Sequence, residues 1–251
     1  MNQKSTYLEA VVDEHFANGY SEYQKRYALT VSERDKALIE RVERIALKEK
    51  RELNILDVGC STGNFLLHLN RHLKDHKLHG IDLDRNVIEG CKRNPDLRGI
   101  DFSVLDMLYL SSDQMYDVVI MSGSLMFFTR EEFKVAIKNI AQCVKPGGSL
   151  ISFDYFHPFE QEVSISMTSL VTTNPKDLTI YFREFSFVTK LLKEAGMEDV
   201  SFTPFHLSFD RLPPEDFSDT TSYTVQRDDG KRMCFRGVIY QPWCILEARM
   251  L

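Results

Sequence analysis

Within this 251-residue chain, the segment Asn54-Ile-Leu-Asp-Val-Gly-Cys-Ser-Thr-Gly-Asn64 constrains the fold most. A short apolar strand runs into a turn with glycines at 59 and 63, and the turn opens into the helical run Phe65-Leu-Leu-His-Leu69. Glycine permits positive φ and close approach of a ligand, and a helix N-terminus leaves backbone amides without partners. Strand, glycine turn and helix in that order therefore suit a nucleotide-like ligand.

The rest of the chain repeats this rhythm. Strand-like runs at Ile55-Leu56, Leu78-His-Gly-Ile81, Asp101-Phe-Ser-Val104, Asp117-Val-Val-Ile-Met121 and Ser149-Leu-Ile-Ser-Phe153 alternate with amphipathic stretches such as 86–93 and 131–143. That alternation predicts an α/β fold with a mainly parallel sheet and helices on both faces. A hydrophobic fraction of 43% suffices for one sizeable core. Ahead of the sheet lies a helical region over roughly residues 7–50, capped by Ser32 or Thr30, with Leu38, Ile39, Val42, Ile45 and Leu47 at near-helical spacing. Beyond Asp154 the pattern changes: about 155–180 is polar and resembles an insertion or lid. A helix over 185–195 ends at Gly196, a strand follows at Val200, and a last strand spans 238–248. Asp228-Asp229-Gly230 is a hairpin turn signal within a second insertion at about 211–237. The expected organisation is a helical cap, 1–50, and one domain, 51–251, carrying both insertions.

A net charge of -6 leaves no electrostatic footprint for nucleic acid or an anionic membrane surface. Cys60, Cys91, Cys143, Cys234 and Cys244 form no CxxC pair and have no histidine at zinc spacing, so free thiols in a reducing cytosol are expected. The first residues lack the apolar run of a signal peptide, and no stretch has the roughly 20 apolar residues that span a bilayer. A soluble, cytoplasmic protein without nucleic-acid or membrane partners is the expectation.

The spacing of the glycine turn separates two cofactor classes. A dinucleotide fingerprint needs G-x-G-x-x-G, but from Gly59 the matching positions hold Ser61 and Asn64, which disfavours a dehydrogenase. The pattern is instead Asp57-x-Gly59-x-Ser61-x-Gly63. A carboxylate two residues before the first glycine repels pyrophosphate and suits an ammonium group.

From about Asn54 to Phe153 the sequence resembles the class I S-adenosylmethionine-dependent methyltransferases. The resemblance implies a Rossmann-like seven-stranded sheet, mainly parallel, with an antiparallel last strand, N-terminal helices and inserted lid segments. It implies that Asp57, Gly59, Ser61 and Gly63 hold the amino-acid end of S-adenosylmethionine; Ser61 stands where the family usually has glycine. It places Asp82, in His79-Gly-Ile-Asp-Leu-Asp84, on the ribose hydroxyls, with Leu83 packing on the adenine. Asp84 competes for that role, but its offset suits a helix cap. Asp106 and Met107 fall where members meet the adenine amino group and ring. Tyr116 to Ser124 corresponds to the strand and loop beside the sulfonium, with Ser122 a candidate contact. Val144-Lys-Pro-Gly-Gly148 corresponds to the turn before the fifth strand.

Other residues carry less. Asp117 begins its strand and is read as structural. His68, His72 and His76 recur at i, i+4, but no cysteine or carboxylate completes a ligand set, and of the clustered carboxylates a magnesium site needs only Asp154 is placed, so no metal is expected. For methyl transfer the candidate catalytic groups are His157, beyond the fifth strand, and Tyr155, with Asp154 beside them. Imidazole suits proton removal near neutral pH, and a histidine packed before Pro158 is the competing reading. The absence of [N/D]-P-P-[Y/F] after the fourth strand, with the acidic charge, favours a small-molecule acceptor, first an oxygen of a metabolite or sugar intermediate and next a nitrogen. A non-catalytic S-adenosylmethionine-binding partner subunit is the alternative. Substrate walls are expected from Tyr20, Tyr23, Arg26 and Tyr27, from the two insertions, and from Tyr223, Arg236, Tyr240 and Trp243. Met126, Phe127 and Phe128 face either substrate or core.

Overall fold

The computed structural model describes residues 30–111, 113–168, 177–213 and 222–251. Tyr20, Tyr23, Arg26, Tyr27 and most of the expected N-terminal cap lie outside them. Helix α1, Glu33–Glu49, starts at Ser32, whose hydroxyl accepts from the Asp35 amide, and closes on Lys50 in the left-handed region. One stripe of α1, Leu38, Ile39 and Val42, is buried. The chain then runs through β1, Asn54–Val58; α2, Asn64–His72; β2, Lys77–Asp82; α3, Arg85–Arg93; β3, Asp101–Val104; β4, Tyr116–Ser122; α4, Arg130–Gln142; and β5, Val144–His157. Next come β6, Val163–Thr168; β7, Asp177–Glu184; α5, Phe185–Glu194; β8, Met197–Pro204; β9, Ser222–Gln226; β10, Arg232–Arg236; β11, Ile239–Gln241; and β12, Trp243–Met250.

The central sheet has the order β3-β2-β1-β4-β5-β12-β8. Strands β1 to β5 pair in parallel, and β12 is antiparallel to both β5 and β8, so the last strand is reversed as expected. Successive strands move outward from β1 through β2 to β3, then the chain returns to β4 on the other side of β1. That reversal opens a crevice beyond the carboxyl ends of β1 and β4, where open α/β sheets bind ligands. Strands buried on both faces are apolar almost throughout, as β1 and β4 are. One face packs Ile55, Val118 and Ile151 against Leu38, Leu66 and Ile88 of α1 to α3. The other packs Leu56, Val119 and Leu150 against Phe133 and Ile137 of α4 and Val188 and Leu192 of α5.

Several segments differ from the sequence reading. Lys145-Pro-Gly-Gly148 is not a turn ahead of the strand. It is an irregular opening of β5 itself, where the register against β4 slips between Tyr116↔Val144 and Val118↔Ser149. A Cβ on Gly148 would lie 2.8 Å from the Lys145 carbonyl oxygen and 2.9 Å from that of Asp117, so only glycine fits the slip. The expected lid at 155–180 begins as sheet: β5 continues to His157, β7 adds beside it in parallel, and β6 pairs antiparallel with β7. Helix α2 stops at His72, so His76 is off the helix and accepts from the Leu53 amide at 3.1 Å. The second insertion forms a separate sheet, β11-β10-β9, whose β9–β10 turn holds Gly230 at φ 78° as the Asp-Gly signal predicts. The last strand divides at Pro242, which has no amide to donate.

At the amino end of the sheet, Asp117 accepts from Arg51 at 2.8 Å, the Asn54 amide at 2.7 Å and Lys145 at 3.0 Å. It joins the starts of β1, β4 and β5 and lies far from the crevice end of the sheet, in keeping with a structural role. Burial pushes its carboxyl up, but the hydrogen bonds from Arg51, Asn54 and Lys145 outweigh burial and hold it at about 2. A depressed carboxyl contributes stability above its unfolded pKa of about 3.9 and loses it as the pH falls through about 2. Asp117→Asn is therefore expected to lower stability at neutral pH by roughly 1–3 kcal/mol, with the difference shrinking in acid below about pH 4. Urea unfolding of both chains from pH 2 to 7 checks this; equal stability at pH 7 would contradict it.

Candidate cofactor and acceptor site

The loop between β1 and α2 is held from beneath. The amides of Gly59 and Cys60 both donate to the Ile81 carbonyl, at 2.8 and 2.9 Å, and the Ser61 amide donates to the Asp82 carboxylate at 2.9 Å. Gly59 has φ 77°, and a Cβ there would meet Ser124 Cβ at 3.2 Å and Met107 Cε at 3.9 Å. Gly63, at φ 75°, caps α2, and a Cβ would lie 2.9 Å from Leu97 and 3.2 Å from Phe102. The two glycines thus act differently: Gly59 keeps the crevice open toward β4, and Gly63 lets α2 approach β3. Ser61 also adopts the left-handed region, φ 48°. That conformation explains a preference for glycine at its position, and serine takes it at a cost of roughly 1–2 kcal/mol.

Above this loop is an open recess of about 370 Å³ lined by Arg34, Asp57, Gly59, Cys60, Ser61, Thr62, Asn64, Phe65 and Ser122. Asp57 is one of these lining residues and is only 3% exposed. Burial pushes the Asp57 carboxyl up to about 7; Arg34 opposes the rise, while Asp35 and Asp82 add to it. Sequence reasoning missed Arg34, whose guanidinium also bonds Asp35 at 2.9 Å. A signal existed: a cation in the first turn of a helix faces the positive end of the helix dipole, so Arg34 sits where arginine is disfavoured.

The remaining predicted cofactor residues surround the recess without lining it. Asp82, at the end of β2, accepts from the Ser61 amide through one oxygen and from the Asp84 amide at 3.0 Å through the other. Burial raises its pKa, and those two amides counter the shift. Leu83 follows, half-buried. Asp84 caps α3, accepting from the Asn86 amide at 2.8 Å, which is the role its offset predicts. Asp106 caps a short 3-10 turn over Met107–Tyr109 through the Leu108 amide at 2.9 Å, and Met107 reaches the Gly59 side of the loop.

At the end of β4 and just beyond it, Ser122 and Ser124 have buried hydroxyls without partners among the described residues. Asp154 fixes the loop after β4: its carboxylate accepts from the amides of Leu125 at 2.8 Å and Met126 at 3.2 Å, and from that of Tyr155 at 2.9 Å. Burial pushes the Asp154 carboxyl up to about 7 against those amides. Met126 and Phe128 are buried in the core. Tyr155 is packed between Phe182, at 5.2 Å, and Trp243, at 4.3 Å, with its hydroxyl bonded to Gln241, and burial raises its pKa. His157 ends β5, 8% exposed, with both ring nitrogens unpartnered. Neither Tyr155 nor His157 lines the recess. Trp243 also stacks on Phe153 at 4.6 Å, and Tyr223 and Tyr240 pack on Phe235 of the small sheet. Among the described residues no group of three or more histidine, cysteine, aspartate or glutamate side chains is arranged to hold a metal, and no helix is long and apolar enough to cross a membrane.

Residues 55–148, spanning β1 to the opening of β5, match a family model described as a methyltransferase domain. This chain carries a class I S-adenosylmethionine-dependent methyltransferase domain. Among curated relatives, the domain is 26% identical over 149 residues to a malonyl-[acyl-carrier protein] O-methyltransferase of Acetivibrio thermocellus, covering 59% of this chain and 48% of that protein. It is 33% identical over 100 residues to a carboxy-S-adenosyl-L-methionine synthase of Campylobacter curvus, covering 39% and 42%. The chain thus spans about half the length of the curated relatives it matches. Among solved structures, the magnesium protoporphyrin IX methyltransferase from Synechocystis with bound S-adenosylmethionine shares the methyltransferase fold at a TM-score of 0.59, with 13% identity over 99% of this chain and 98% of that one.

The raised Asp57 carboxyl has a measurable consequence. Between its unfolded pKa near 3.9 and about 7, the folded methyltransferase domain binds more protons than the unfolded chain, so stability falls as the pH rises through that window. Asp57→Asn is expected to raise the melting temperature of the ligand-free protein at pH 8, at about 2–4 °C per kcal/mol gained, and to lose that advantage near pH 4. Scanning fluorimetry across that range checks it; a lower melting temperature for the variant at pH 8 would contradict it.

Proposed function

We propose that this chain transfers a methyl group from S-adenosylmethionine to a small-molecule acceptor, first an oxygen. The observation that carries the reading is the opposed pair at the topological switch point: a desolvated Asp57 carboxylate facing a recess that Arg34 shares. An amino-acid end carries one ammonium and one carboxylate, so an acid and a base side by side complement both. Asp57 would take the ammonium and Arg34 the carboxylate, with Gly59, Ser61 and Gly63 shaping the loop between them. Asp82, already bonded to two amides, keeps lone pairs for the ribose hydroxyls, because each carboxylate oxygen accepts more than one hydrogen bond. Leu83, Asp106 and Met107 would enclose the adenine, and Ser122 stands nearest the reacting end. The donor set fits the cofactor in charge and polarity.

Bound there, the cofactor supplies an electrophilic methyl on a sulfonium. The chain's own contribution is alignment of the acceptor and exclusion of water. The loop after β4, held by Asp154, would set the acceptor against the recess. His157, with both nitrogens uncommitted, is the group available to take a proton from a hydroxyl acceptor; Tyr155 is committed to Gln241 and to packing. A relative that methylates oxygen by name supports the oxygen reading. A cofactor-binding partner subunit without turnover is the second reading, favoured by the position of His157 and Tyr155 outside the recess lining. Methyl transfer to an acceptor by the purified chain alone decides between the two.

Calorimetric titration with S-adenosylhomocysteine tests the cofactor site. The native chain should bind, Asp82→Ala should bind about tenfold or more weakly, roughly 1.4 kcal/mol or more, and Asp82→Asn should fall between. No binding by the native chain, or unchanged binding by Asp82→Ala, would overturn the proposal. For His157→Ala, turnover should fall about 10²-fold or more with a hydroxyl acceptor and hold with an amine that is already deprotonated.

A further inference from the structure

Arg183 of β7 is 1% exposed, yet its guanidinium has a single hydrogen-bond partner among the described residues, the carbonyl of Phe128. Its Nε and Nη1 atoms are buried and have no hydrogen-bond partner among the described residues. None of the carboxylates within electrostatic reach is hydrogen-bonded to it among the described residues. Glu184 accepts from Arg130 at 2.7 Å through one oxygen while its other oxygen is buried without a partner, and Glu162, half exposed, pairs with the same Arg130 at 3.5 Å. Asp154 spends its oxygens on the amides of Leu125, Met126 and Tyr155. What remains around Arg183 is aromatic: the Tyr181 ring at 4.8 Å and the Phe133 ring at 5.2 Å. Aromatic faces offset part of the desolvation of a cation, but they accept no strong hydrogen bond. A buried charge with donors left over is costly unless an acceptor completes it.

Arg183 lies opposite Phe156 at the carboxyl end of β5, on the sheet edge where ligands bind. Phe128, which it holds, ends the loop that begins at Ser122 in the recess lining and precedes Thr129, the cap of α4. One short loop therefore has the cofactor recess at its start and the arginine at its end. We propose that Arg183 anchors an oxyanion, a carboxylate or a phosphate, carried by the methyl acceptor. This deepens the methyltransferase reading and rests on it: the acceptor would be an anionic small molecule, gripped by its charge while another atom, or a second oxygen of the same group, faces the recess. Arginine suits the task because its planar guanidinium stays charged when buried and directs several donors at once.

The test uses the full chain saturated with S-adenosylhomocysteine and titrated with sodium acetate or inorganic phosphate against chloride at equal ionic strength. The native chain should show saturable binding of one anion above the chloride control, and which one it is distinguishes a carboxylate from a phosphate acceptor. Arg183→Met should weaken that binding tenfold or more while changing S-adenosylhomocysteine affinity less than twofold. Arg183→Lys, which keeps the charge if the methionine variant does not fold, should weaken it several-fold. On the native chain, the Arg183 Nε–H resonance, assigned by its loss in Arg183→Lys, should shift with the same saturation curve. Saturable binding of neither anion, or equal binding by native and variant chains, overturns the proposal while leaving the cofactor reading intact. Failure of the native chain to bind S-adenosylhomocysteine at all overturns the reading beneath it.

Discussion

The site depends on a carboxylate kept dry at the point where the sheet reverses. Asp57 is the penultimate residue of β1, paired in register with Gly80 on one side and Ile120 on the other. It is on the α1 and α2 side, with Arg34 as its opposing charge. A folded protein retains a desolvated acid of this kind only against its own stability, and strand position, glycine loop and first helix all converge on it. The loop is tied down by the Ile81 carbonyl and by Asp82, so the second strand's acid fixes the first strand's loop. The residues proposed to recognise the cofactor are therefore also those that hold the loop rigid.

Much of this was legible because it is local. The order of apolar and amphipathic runs predicts the parallel strands, since a buried strand needs continuous apolar sequence and its crossover helix needs one apolar stripe. Ser32, Asp84 and the Asp-Gly hairpin turn behave as their chemistry predicts because caps and turns are made within a few residues. The Lys145 to Gly148 opening of β5 was misread for the opposite reason: proline and glycines signal a break, but pairing with β4 across the sheet absorbs it as a slip in register. The polar stretch after Tyr155 looked like a lid because β6 is half exposed, with every second residue outward, and alternation of that kind is weak in serine- and threonine-rich sequence.

The two arginines were the least legible. Arg34 and Arg183 are distant in sequence from the glycine-loop and strand-end motifs, and neither has a spacing signature. Arg34 is marked in the sequence only as a cation in the first turn of a helix and becomes conspicuous by sharing the recess with a buried acid; Arg183 becomes conspicuous only through buried donors without partners among the described residues. Arg130 takes one oxygen of Glu184 and the loop amides take Asp154, so the unpaired donors of Arg183 come from tertiary packing rather than composition. The overall charge of -6 gives no hint of the buried cation at Arg183.

Proton linkage on cofactor binding tests the central claim most directly. If the ammonium of the ligand meets Asp57, a carboxyl at about 7 in the free chain must be ionised in the complex. Calorimetry of S-adenosylhomocysteine binding in buffers of differing ionisation enthalpy should show proton release that grows as the pH falls from 8 to 6, and Asp57→Asn should lack that release. Binding by the native chain with no buffer dependence across this range would contradict the account.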